Sequence, residues 1–310
     1  MKPRRLHSLL SFLLVLLVAP VQAEEHPQVA IIRTQNARPY EAALEALRVG
    51  LKRHADLHFE MVDRDDPDEG TRIMALDPDV LVTVGSQATS WSLGNTRDVP
   101  VVFAMVLNPV SSGLVKSMQR PGDRITGASL DVPPDAHFRT LRELIGARRI
   151  AVLYNPEETG PVIESARQAA LRQEVELVPI GVASPKQLNQ ALGQVDSSYD
   201  ALWSVADRTI LSHGTVEHVL IHTIRARIPF MGLSEPYVRA GALLALSTSY
   251  HENGRQAAEL VRRILGGESP ADLAITIPTD LEVVFNELTA KRIGMKLPSQ
   301  GTLPMREVNQ

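Results

Sequence analysis

Residues 79–105 read DVLVTVGSQATSWSLGNTRDVPVVFAM. The stretch opens on an apolar, β-branched run (79–84) and closes on another (99–105), with a helix-sized segment between them. A run that is apolar on both faces of a strand needs cover on both faces. A helix joining two such strands supplies cover and lets them lie parallel.

The alternation continues outward in both directions. Upstream lies QVAIIR (28–33), then Tyr40, Ala43, Leu44, Leu47 and Leu51 at helical spacing, then a strand at 57–62. Downstream the strands are RIAVLY (149–154), 175–180, 200–205 and IPFMGL (228–233), with helices expected at 161–173, 186–194 and 214–225. The series breaks near residue 130, with four or five strands on each side. This predicts an α/β protein of two doubly wound parallel-sheet lobes. The seam is 124–130 followed by Asp131-Val132-Pro133-Pro134, where paired prolines fix two φ angles and stop a strand.

Past residue 240 the pattern yields two strand–helix pieces: a strand at 242–247 with a helix ended by Gly266-Gly267, and a strand at 281–285 with a helix stopping near Gly294. Two such pieces are too few for a core of their own. Each is expected to cross back and complete one lobe, giving a three-strand hinge near residues 128, 247 and 281. The expected organisation is a leader over 1–23, a first lobe of 24–127 plus 248–280, a second lobe of 128–247 plus 281–298, and a tail from 299 to 310.

The leader is read from Lys2, Arg4 and Arg5, the apolar run 9–18, Pro20, and small residues at Val21 and Ala23. That is the layout of a secretory signal peptide cleaved after Ala23. The apolar run is about half of the roughly 20 residues a membrane span needs. The chain has no cysteine, so it forms no disulfide and offers no thiol for lipidation. A free periplasmic location follows as the expectation. The formal net charge is −4 with Lys and Arg scattered, and aromatic residues make up 4% of the chain, which speaks against a nucleic-acid-binding face.

Several motifs in order then resemble a known family. They are VPVVFAM (99–105), Asn108-Pro109-Val110, Gly113-Leu114-Val115, Arg120-Pro121-Gly122 and Ile125-Thr126-Gly127, followed by Ile228-Pro229-Phe230, Gly241-Ala242-Leu243, Gly254-Arg255-Gln256-Ala257-Ala258, and Asn286 with Thr289-Ala290-Lys291. The sequence is similar over about 29–298 to the ABC-transporter substrate-binding family that includes tryptophan- and tyrosine-binding periplasmic proteins. The resemblance implies a type I periplasmic-binding-protein fold with ligand in the interlobe cleft. Two positions depart from the family pattern: Asn108 stands where Asp is usual, and Asp207-Arg208 where Asp-Asn or Asp-Ser is frequent.

Ligands of open α/β sheets sit beyond the carboxyl ends of the strands. That rule selects Thr34, Gln35, Tyr40, Gly85, Ser86, Gln87, Leu107 and Asn108 in the first lobe. In the second it selects Asn155, Glu158, Thr159, Asp207, Ser234 and Glu235. Gly85-Ser86-Gln87 either presents helix-start N–H groups to an anion or is a plain turn capped by Ser86. Asp207 either pairs with a ligand ammonium or caps the next helix. Tyr40 either stacks on the ligand or starts the core of its helix. Trp91 and Trp203 read as packing residues.

No HExxH or GxSxG occurs, no cysteine nucleophile exists, and no histidine spacing suggests a metal site. The chain is therefore expected to be no enzyme and to use no cofactor. The leading expectation is a monomeric transport receptor that binds an amino acid or similar amphipathic solute and docks on an inner-membrane ABC permease. The alternative is a ligand-sensing module docking on a membrane signalling receptor.

Overall fold

The computed structural model describes residues 26–212 and 214–308. The expected signal peptide lies outside the described residues. The first sheet is built by β1 (Gln28–Arg33), α1 (Arg38–Leu51), β2 (Asp56–Met61), α2 (Glu69–Met74), β3 (Val80–Val84), α3 (Ser86–Asn95), β4 (Val101–Val106) and β5 (Ile125–Ser129). Its strand order is β2-β1-β3-β4-β5, parallel throughout. Alternate residues of β1 show why the sheet needs two helical layers. Val29 and Ile31 enter one core cluster, Ala30 and Ile32 the cluster on the opposite face, and all four are at most 1% exposed.

The chain then forms α4 (Pro134–Ile145), β6 (Arg149–Tyr154), α5 (Pro156–Arg172), β7 (Glu176–Gly181), α6 (Leu188–Leu192), β8 (Ala201–Trp203), α7 (Val216–Ala226), β9 (Phe230–Met231), α8 (Glu235–Ala240) and β10 (Leu244–Ser247). It continues with α9 (Tyr250–Leu265), β11 (Glu282–Phe285), α10 (Glu287–Ile293) and β12 (Met305–Glu307). The second sheet has the order β12-β11-β10-β9-β8-β6-β7. Only β10–β11 is antiparallel among its pairs. Here too successive residues bury both faces, with Ile150 and Val152 in one cluster and Ala151 and Leu153 in the other.

Helix α9 leaves the second sheet and packs on the first lobe. Its Gly254 lies so close to α1 that a Cβ there would sit 2.3 Å from the Ala43 carbonyl oxygen. The chain thus passes between the sheets three times, after β5, after β10 and before β11. Two features differ from the sequence reading. The segment read as a tail contains β12, which pairs with β11 and is tied down by Arg306 bonding Glu282 and Glu235. Helix α5 starts at Pro156, ahead of the 161–173 span and where Asn155-Pro156 also reads as a helix start, because Asn155 caps it by accepting the Glu157 N–H at 3.0 Å and Pro156 pre-sets the first helical φ.

Candidate functional site

A cavity of about 570 Å³ opens between the two lobes. The first lobe contributes the end of β4, and the first crossing contributes the segment from Leu130 to Pro134. The second lobe contributes α4, α5 and the loops after β8 and β9, and the third crossing adds Ala274, Ile275 and Ile277. Most of this wall is apolar; Asn108, Ser111, Gln119, Ser165 and Ser204 add polar groups, and three further side chains stand out.

The first is Asp131. Its Oδ1 accepts the Asn108 N–H at 2.8 Å, and its own N–H donates to Ser129 Oγ at 3.0 Å. Burial pushes its carboxyl above the usual range, only partly opposed by the bonds from Asn108 and Ser129, and no cation among the described residues contributes. The second is His137. Its Nδ1 lies 3.3 Å from the Pro133 carbonyl, which can only accept, so Nδ1 carries the proton and Nε2 is left as an acceptor. Burial lowers its pKa to about 4, which keeps the ring neutral at pH 7. The third is Trp203, 3% exposed at the end of β8. Its ring meets Phe138 edge-on at 4.9 Å and His137 at 5.7 Å. Its indole N–H has no partner among the described residues. No cluster of potential metal ligands occurs among the described residues.

Of the residues singled out from the sequence, Leu107 and Asn108 line this cavity. Thr34, Gln35, Tyr40, Gly85, Ser86 and Gln87 gather elsewhere in the first lobe. Thr34 Oγ1 donates to Gln87 Oε1 and Gln35 Nε2 to the Tyr40 hydroxyl, both at 3.3 Å. The Tyr40 hydroxyl covers Gly85, whose φ of +92° and crowding (a Cβ would meet that oxygen at 2.3 Å) together require glycine. Ser86 and Gln87 border a separate hollow of about 420 Å³ with Arg64 and Trp91.

The second-lobe candidates serve the fold. Asp207, 2% exposed, accepts from Asn155 N at 2.6 Å, Thr159 Oγ1 at 2.7 Å, Thr209 N at 2.9 Å and Ile210 N at 3.2 Å. Four donors occupy its carboxylate, so in this structure Asp207 ties the loop after β8 to the start of α5. Asn155 is the cap of α5 and also donates to Thr209 Oγ1, while Glu158 binds Arg208 at 2.9 Å. Ser234 stands at the N-cap of α8, and Glu235 pairs with Arg306 and Arg239, which hold its carboxyl below the usual range. Sequence reasoning missed Asp131, taken as part of a seam, and the cavity face of Trp203. The signal for Trp203 was its place at the carboxyl end of a strand.

Comparisons with known proteins agree with this architecture. The model of a family described as "ABC transporter substrate binding protein" matches residues 68–302. The "Tyrosine-binding protein" of Clostridioides difficile (strain R20291) is 28% identical over 221 residues, which is 70% of this chain and 64% of that protein, just under two thirds of its length. The ligand-free, open structure of CD0873, a substrate binding protein from Clostridium difficile, superposes with a TM-score of 0.75 at 22% identity, covering 91% of this chain and all of that one. An ABC domain from Streptococcus pneumonia in complex with L-Trp gives a TM-score of 0.65 at 19% identity over 89% of this chain and 97% of that one.

Proposed function

The chain belongs to the family of ABC transporter substrate binding proteins, and from that premise we propose that it binds an amino acid with a large apolar side chain in the cavity between its lobes. The observation that carries this reading is Asp131, a partly buried carboxylate without a neighbouring cation among the described residues, in a mostly apolar interlobe wall. A ligand ammonium would compensate that charge, and the Trp203, Val205 and Ile277 surfaces would enclose the side chain. Cavities of roughly 300–1,000 Å³ with an apolar lining and few placed polar groups are the usual setting for small ligands. The names of two relatives, one tyrosine-binding and one solved with L-Trp, point to the same ligand class.

In this reading the mature chain begins at Glu24, works free in the periplasm and hands its ligand to an inner-membrane ABC permease. It binds and releases its ligand without chemical change. Calorimetric titration of the mature protein with L-tyrosine, L-tryptophan, L-phenylalanine and L-leucine tests it. Binding of at least one aromatic amino acid, and weaker or no binding of L-leucine, is the expected result. No heat with any of the four would refute the ligand assignment.

A further inference from the structure

Asn253 sits in the first turn of α9, immediately after the second crossing, and is 2% exposed. Its amide makes three hydrogen bonds to two strands of the first sheet. Oδ1 accepts the Met105 N–H at 2.8 Å, and Nδ2 donates to the carbonyls of Ala128 at 3.1 Å and Ser129 at 3.0 Å. Both amide N–H donors are used, and the carbonyl oxygen accepts one bond. Met105 needs that acceptor because β4 is irregular there. Its register against β5 shifts between Phe103 and Val106, and Met105 has φ +59°, which is unfavourable for a residue with a side chain.

The bonded network runs on from there to the cavity. Ser129 Oγ donates to the Val106 carbonyl and accepts the Asp131 N–H, and the Leu130 N–H donates to Val106 O at 2.8 Å. Asp131 in turn holds the Asn108 N–H. Leu107, Asn108, Leu130 and Asp131 all line the cavity. Nearby bonds tie the other crossings to the same helix: Gln256 Nε2 donates to the Ile277 carbonyl, and Asp280 accepts from Thr248 Oγ1 and Ser249 N.

We infer that Asn253 is a positioning residue for ligand binding: from outside the cavity it holds the ends of β4 and β5 in the one arrangement that sets Asp131 and Asn108 into the wall. This rests on the interlobe cavity being the ligand site. The substitution Asn253→Ala leaves a buried N–H and two buried carbonyls without partners and frees Met105 to leave its left-handed conformation. Asn253→Asp keeps the acceptor for Met105 but sets a carboxylate against two carbonyl oxygens.

The test compares both variants with Leu47→Ala, a core truncation in α1 away from the cavity. All are measured at a temperature where circular dichroism shows each fully folded. Calorimetry with L-tyrosine and L-tryptophan reads affinity, and amide hydrogen exchange reads Met105 and Asn108. In Asn253→Ala, affinity is expected to fall at least tenfold and both amides to exchange at least tenfold faster. Asn253→Asp should protect Met105 better than Asn253→Ala does and still bind weakly. Leu47→Ala should lower the melting temperature and leave affinity within threefold of the parent.

Parental affinity in Asn253→Ala overturns the inference even if exchange quickens, because Asn253 would then be a structural clamp only. If the parent itself binds neither amino acid, the ligand assignment falls. The exchange at Asn108 then decides separately: unchanged protection in Asn253→Ala overturns the positioning of Asn108 as well, and its loss upholds only that Asn253 orders the cavity wall.

Discussion

Replacing Asp131 with asparagine removes one negative charge from the cavity wall and almost nothing else. The side chain keeps its size, and its carbonyl oxygen can still accept the Asn108 N–H that Oδ1 now takes. Losing one partner of a desolvated charge pair costs about 2–5 kcal/mol. Asp131 is only partly buried by surface area, so solvent screening places the loss in the lower part of that range. About 2–3 kcal/mol corresponds to roughly a 30- to 150-fold weaker Kd. The unliganded protein should melt no lower than the parent, since an uncompensated buried carboxylate is itself a cost. The pH dependence gives an independent check. The folded carboxyl is raised above its unfolded value of 3.8, so between the two the native state holds the proton more firmly. Its contribution to unliganded stability is therefore lost as pH rises through that window. A ligand ammonium reverses the preference, so affinity should fall as acid protonates Asp131, and the asparagine variant should lack that part of the profile. Calorimetry at several pH values reads both effects. A Kd for Asp131→Asn within threefold of the parent at pH 7 would refute the assignment of Asp131 to the ammonium.

Trp203 should report the ligand directly: addition of a bound aromatic amino acid should change intrinsic emission in the parent and in Trp91→Phe, and a signal surviving in Trp203→Phe would place the ligand elsewhere. His137 has a folded pKa of about 4 against 6.5 when unfolded, so the unfolded chain binds more protons between them and stability is lost as pH falls from about 6.5 to about 4, by up to about 3 kcal/mol. Denaturant titrations should show His137→Gln flattening that slope, and an unchanged slope would count against a buried neutral imidazole. Asp207→Ala strips the acceptor from four donors and should cost about 2–4 kcal/mol of stability while leaving the Kd of the folded protein within threefold. A strong loss of affinity at unchanged melting temperature would return Asp207 to the ligand site.

The strands were legible because both faces of each sheet are buried, which writes continuous apolar runs such as 80–84 and 150–153 into the sequence. β12 carried no such signal: its three residues include two charged ones, and ion pairs to Glu282 and Glu235 add to the packing of Met305 in securing it. The start of α5 was written in Asn155-Pro156 with two glutamates after it, but Pro161 five residues later looks equally like a helix start. The binding candidates were harder, because the strand-end rule selects loops without saying which way each side chain turns. A carboxylate after β8 reads the same whether it faces a ligand or folds back onto Asn155, 52 residues distant in sequence. Asp131 escaped for the complementary reason. It lies between a strand and two prolines, where a linker is the ordinary reading, and only the three-dimensional crossing makes that linker a wall.

The two perturbed groups in the cavity argue together about the ligand's charge. Burial raises the Asp131 carboxyl and lowers the His137 imidazole, so the cavity disfavours charge of either sign. His137 meets this by staying neutral at pH 7, with its Nδ1 proton directed at Pro133. Among the described residues, N–H and hydroxyl dipoles act on Asp131 and no cation does, so its compensation is incomplete until a ligand arrives. A cationic group is thus the charged feature the unliganded wall asks for. The acceptor on His137, the unpartnered donor on Trp203 and the large apolar remainder suit a ligand that is otherwise apolar with few polar atoms. Because enclosing such a ligand expels water from around Asp131, each step of enclosure strengthens the charge pair that holds it. That coupling gives a physical reason for placing the carboxylate on a crossing between lobes instead of on either lobe alone.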